Sequence, residues 1–227
     1  MERRKFTAAA LGATAAGLLP ASLLAAGLSE SDAAAGVRGA LEKGAVAAVK
    51  LLGREGGFLD NPKVRIPLPG YLNDAAKLLR ATGGKRRVEE LEVAMNRAAE
   101  AAVPEAKALL LAAVKDISVD DALKLVRGGD TAVTDFFVGK TRVPLGEKFL
   151  PIITKATEKV SLAERYNAVA GKARGLGLVK PEDANVQQYV TGRALDGLFL
   201  MIGEEEKKIR ADPLKTGSAI LKKVFGG

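Results

Sequence analysis

Beyond its first 26 residues, this chain contains no run that alternates apolar and polar side chains as a half-buried strand does, and no hairpin turn joining two such runs. Apolar residues return every three or four positions instead, the spacing of one face of an α-helix. Leu195, Leu198, Phe199, Ile202 and Ile209 make one such stripe. Serines that can cap and glycines that can stop divide the chain into helices expected at about 32–52, 71–81, 85–102, 104–117, 118–127, 131–141, 143–160, 161–175, 190–212 and 214–225. Only 4% of the 227 residues are aromatic and none is Trp, so the core must come from Ala, Leu, Val and Ile, which suits closely packed helices. The expectation is all-α: a single helical-bundle domain of about eight to ten helices over residues 27–227, with one extended proline-containing strap.

The strap is GGFLDNPKVRIPLPG, Gly56 to Gly70. Asn61-Pro62 is a turn initiator and Gly56-Gly57 a flexible entry. Ile66 and Leu68 each precede a proline, which favours extended backbone. An extended strap lays Val64 and Ile66 on the bundle and points Arg65 the opposite way, towards an acid.

The N-terminus reads as an address. Arg3-Arg4-Lys5-Phe6 is followed by a charge-free run from Thr7 to Ala26, the layout of a signal peptide, and the run resembles the twin-arginine export motif. Cleavage is expected after Ala26, with Ala35 as the alternative and an uncleaved anchor as the competing reading. The protein is therefore expected to be periplasmic or otherwise exported, with no transmembrane segment after cleavage. A cysteine-free chain suits folding in the reducing cytoplasm before export.

The absence of both Cys and His excludes disulfides, thiol and imidazole catalysis, and the usual ligands of zinc or haem. A metal would need a hard-oxygen site, and neither metal nor cofactor is expected. The net charge is +8; Arg3, Arg4 and Lys5 against Glu2 account for +2 of it, which leaves a modest +6 that reads as solubility. Lys85-Arg86-Arg87 has no interleaved aromatics, so nucleic acid is not an expected partner.

Several segments together, GGFLDNPKVRIPLPG, ELEVAMNRAAEAAVPEAK, VRGGDTAVTDFF, RYNAVAG and YVTGRALDGLFLMIGEEEKKIRADP, resemble the bacterial DUF4197 family, a domain of unknown function in exported proteins. The resemblance covers nearly the whole chain after the signal. It implies an exported helical domain and supplies no reaction or ligand.

A few polar residues stand out. Glu206 falls inside the apolar stripe of the last long helix and needs a partner or a raised pKa, whereas Glu204 faces away towards Lys208. In the helix from Lys85 the stripe is Val88, Leu91, Met95, Ala98 and Ala102; Glu92 sits at its border, and Asn96 and Glu100 lie further round, on the polar side. The expectation joins Arg65 to Glu206 or Glu92, with Asn96 and Tyr166 as further members, either as a buried structural ion pair or as the polar end of a ligand pocket. The function expected is non-catalytic: binding an apolar or amphipathic small molecule, or an envelope protein, between helices. One alternative is a hydrolase or lyase with Glu206 and Glu92 as its acid–base pair, and another is an assembly protein. A dry, packed interior around Glu206 would defeat both pocket readings.

Overall fold

The serine caps set where helices begin. In a computed structural model that describes residues 29–72, 76–78, 80–158, 161–175, 177 and 185–212, Ser29 opens the first helix: its hydroxyl accepts from the Asp32 N–H at 3.1 Å, and the Asp32 carboxylate reaches back to Ser29. Helix α1 then runs Glu30–Leu52 and stops at Gly53. Six more helices follow among the described residues: α2 Lys85–Ala102, α3 Ala106–Lys115, α4 Val119–Arg127, α5 Ala132–Thr157, α6 Ser161–Gly175 and α7 Val186–Ala211. None of the described residues is in a strand. Ser118 caps α4 through the Asp121 N–H at 3.0 Å. Asn185 caps α7 through the Gln188 N–H at 2.7 Å, which starts that helix at Val186 rather than near residue 190.

Two further stretches bear on the sequence reading. Of the expected short helix at 71–81, the described residues show a 3₁₀ turn, Gly70–Leu72, helical residues 76–78 and a π turn, Arg80–Gly84; 73–75 and 79 lie outside the described residues. The expected helices at 131–141 and 143–160 are one helix, α5, which continues through Pro144 and Pro151. Proline removes one helical hydrogen bond and crowds the preceding turn, at a cost of about 3 kcal/mol. Packing overrides that cost here. Val133, Phe137, Thr141, Leu145, Phe149, Ile153 and Thr157 are all buried, one every four residues from end to end. A four-residue repeat advances about 40° per step on a 3.6-residue helix, so the buried line winds around α5. It can therefore serve several neighbours in succession, and α7, α2 and α3 all pack on it. The expected terminal helix at 214–225 lies outside the described residues.

Helices α5 and α7 form the most extensive pairing and run antiparallel. Glu206 of α7 meets Val133 and Thr134 at one end, and Asp196 meets Arg142 further along. Helix α1 packs on α7, α3 and α4, and α2 packs on α5 and α7. One continuous apolar core joins them.

The strap crosses this bundle after α1. At Gly57 a Cβ would lie 2.3 Å from the Leu52 carbonyl oxygen, so only glycine lets the chain turn back over the end of α1. Phe58 is then fully buried, a burial that stabilises by about 1.5–3 kcal/mol. Its ring lies against Gly197 of α7, where a Cβ would be 2.8 Å from the ring and 3.2 Å from Val64. Gly197→Ala is expected to destabilise the fold by about 1–3 kcal/mol through overpacking at the strap. Chemical denaturation checks this, and an unchanged midpoint would show that the strap is loosely seated.

Candidate functional site

Glu92, Asn96 and Glu100 follow one another at four-residue spacing along one side of α2. The stripe analysis places Asn96 and Glu100 further round, on the polar side of the helix. They are buried instead, with 0% and 4% of their surface exposed, because the strap runs antiparallel to α2 across that side. Each residue of the row meets a different part of the strap.

Glu100 binds the first turn. One carboxylate oxygen accepts from the Phe58 and Leu59 N–H groups, both at 3.0 Å, and the other accepts from Arg97 at 2.7 Å. Burial alone would raise the Glu100 pKa; the Leu59 N–H, Arg97 and the Phe58 N–H outweigh it and hold the carboxyl below its ordinary value. Asn96 binds the middle. Its side-chain oxygen accepts from the Ile66 N–H at 2.8 Å, and its amide nitrogen donates to the Ile66 carbonyl at 2.9 Å and to the Glu92 carbonyl at 2.7 Å. The side chain thus acts as a one-residue strand partner for Ile66. Beyond it, Tyr189 of α7 donates its hydroxyl to the Pro67 carbonyl at 3.0 Å.

Arg65 is exposed while Val64 and Ile66 are buried, but the backbone is not extended as far back as Val64: Val64 closes a turn, and the Val64 and Arg65 N–H groups both donate to the Asn61 carbonyl, at 3.1 and 2.9 Å. Its guanidinium lies 3.8 Å from Glu92, and its side chain is 52% exposed. It is not an internal anchor: the expected buried ion pair is an open contact, and Glu92 holds Arg80 more closely, at 2.6 Å. Tyr166 is buried with its ring 6.5 Å from that of Tyr189, the tyrosine whose hydroxyl reaches Pro67. Glu204 does not use Lys208 but takes Lys63 of the strap at 2.6 Å, and that bond lowers its pKa; Lys208 turns to Glu205 at 2.6 Å.

Glu206 belongs to another cluster. It accepts from the Val133 N–H at 3.2 Å, from the Thr134 N–H and hydroxyl at 3.1 Å each, and from Arg210 at 2.9 Å. Val133 and Thr134 stand in the first turn of α5, which no side chain of its own caps, so Glu206 supplies that cap from α7. Arg210 also donates to the Leu125 carbonyl at 2.9 Å, which ties α4 to the same place. The space beside Glu206 amounts to about 10 Å³, at most one water. That packed interior removes the ligand pocket and the acid–base pair expected there, and the partners of Glu92 and Glu206 place them in separate clusters. No group of three or more carboxylates able to hold a metal occurs among the described residues.

A groove of about 260 Å³ opens on the outer side of the strap. Lys63, Arg65 and Pro67 form one wall, and Arg193, Asp196 and Leu200 of α7 the other. Of the candidate site residues Arg65, Glu92, Asn96, Tyr166 and Glu206, Arg65 alone lines it, beside the strap's Val64 and Ile66. Arg193 and Leu200 were legible only as the outward face of a helix already assigned to the core.

A family model described as "Protein of unknown function (DUF4197)" matches residues 27–226. The chain belongs to the DUF4197 family. No curated protein and no solved structure matches it. The DUF4197 segments quoted above now have positions: the first is the strap, the second carries the Glu92–Asn96–Glu100 row, and the last is α7 with Leu200 and the Glu206 cap.

Asn96→Ala should cost about 2–4 kcal/mol, because it leaves the buried N–H and C=O of Ile66 without partners; a loss below about 0.5 kcal/mol in urea denaturation would contradict the role given to Asn96. Glu100, with its depressed pKa, contributes stability above the unfolded carboxyl value of about 4.3 and loses it as pH falls further. Denaturation midpoints measured from pH 7 down to pH 3 should therefore drop more steeply for the native chain than for Glu100→Gln.

Proposed function

We propose that the protein is a non-catalytic binding domain that works outside the cytoplasm and takes an amphipathic ligand in the groove between the strap and α7. The groove carries this reading. It is open to solvent, it combines three cationic side chains with apolar wall, and Leu200 stands half-exposed in that wall. The buried polar groups do not compete with it, since Asn96, Glu100 and Glu206 are all engaged by backbone.

Arg3-Arg4-Lys5-Phe6 and the apolar run behind it support export. A cut after Ala26 leaves α1 intact. A cut after Ala35 would remove the Ser29–Asp32 capping box and the buried Ala34 from the first helix. No helix among the described residues is long and apolar enough to cross a membrane.

Native mass spectrometry of the chain recovered from the export compartment tests the whole reading. The expected species begins at residue 27 and carries a reproducible organic adduct that Leu200→Glu abolishes without lowering the melting temperature. A bare mass under gentle conditions, from both native and variant chains, would overturn ligand binding; full-length protein retained in the cytoplasm would overturn export.

A further inference from the structure

The groove is flanked by two charge clusters built alike. In one, Glu92 is shared by two arginines: Arg80 at 2.6 Å and Arg65 at 3.8 Å. In the other, Asp196 is shared by Arg142 at 2.7 Å and Arg193 at 3.9 Å. Each carboxylate faces two guanidiniums, so each cluster keeps a positive excess. In both clusters the shorter contact goes to the arginine away from the groove, and the arginine lining the groove stands farther from the shared carboxylate. Arg193 is steadied by the ring of Tyr189, 5.3 Å from its guanidinium, and that same tyrosine holds the strap at Pro67. Lys63 adds a third cation at the rim, paired with Glu204.

Building on the binding reading above, we propose that the groove recognises the anionic headgroup of a single-chain amphiphile, a carboxylate or a phosphate held between Arg65 and Arg193, with the first carbons of the chain against Leu200. Guanidinium suits such a head because its planar fork matches both anions. About 260 Å³ holds roughly eight or nine groups of about 30 Å³, enough for a headgroup and the first few methylenes of one chain lying in the groove. The backbone argues against an added peptide strand. Around Arg65, the Ile66 N–H and C=O are taken by Asn96, the Pro67 carbonyl by Tyr189 and the Arg65 N–H by Asn61, and Pro67 has no N–H.

Calorimetric titration of the full chain separates the possibilities, with dodecyl phosphate, laurate, dodecyl maltoside, inorganic phosphate and a hexaglutamate peptide, each below its aggregation concentration. The expected result is one-to-one binding of dodecyl phosphate and laurate, at least tenfold tighter than dodecyl maltoside or inorganic phosphate. The double substitution Arg65→Gln, Arg193→Gln should erase that tenfold preference and leave the melting temperature within a few degrees, since both side chains are largely exposed. Equal binding of the charged and neutral dodecyl compounds would overturn the headgroup assignment while the groove itself stands. Inorganic phosphate binding as tightly as dodecyl phosphate would reduce the site to a simple anion site, and tighter binding of hexaglutamate would replace the amphiphile with an acidic segment. If no compound bound, the binding reading would fall with the proposal.

Discussion

A buried segment without helix or strand must find partners for every peptide group it takes out of water, and the strap from Gly56 to Gly70 is such a segment. Turns within the strap take the Asp60, Asn61, Val64 and Arg65 N–H groups, and one row of side chains on α2 takes the most deeply buried ones. Glu100 receives the Phe58 and Leu59 N–H groups, and Asn96 pairs with both backbone groups of Ile66. Much else depends on this docking. It buries the second side of α2, seats Phe58 against α7 where only glycine fits, and sends Arg65 outwards because its neighbours must go in. No buried side-chain nitrogen or oxygen among the described residues is left without a partner.

The same device recurs at Glu206. There an acid on an apolar helix face caps the first turn of α5, so that three elements, α4, α5 and α7, meet through one carboxylate and Arg210. The buried acids of this protein are thus bound to backbone donors, an arrangement that fixes structure. On the outer surface, the groove beside the strap brings cations and apolar wall together.

The sequence made the helical class legible because the 3.6-residue spacing recurs along the helices, and serines, Ser29 and Ser118, do cap the first helix and α4. The burial of Val64 and Ile66 on either side of an exposed Arg65 was legible as well, although Val64 reaches its place through a turn closed on Asn61 and not through extended backbone. The partner of each polar residue was not. Asn96 and Glu100 lie off the apolar stripe of α2, and nothing local says that a segment thirty to forty residues earlier covers them; the four-residue recurrence of Glu92, Asn96 and Glu100 opposite a proline strap was the available signal. The continuity of α5 was hidden by Pro144 and Pro151, because helix breaking is local while the packing that overrides it is not. Arg193 and Leu200 were missed because a helix that donates one face to the core gives no sequence sign that its other face borders a groove.

Amide hydrogen exchange at Phe58, Leu59 and Ile66 tests the account most directly, because it reads the strap's docking without altering the chain. The account expects these three amides to exchange as slowly as helix-interior amides of α2, although they lie in neither helix nor strand, and to exchange faster together in Asn96→Ala. Fast exchange at all three in the native chain would mean that the strap is undocked in solution, and the groove built on its outer side would lose one of its walls.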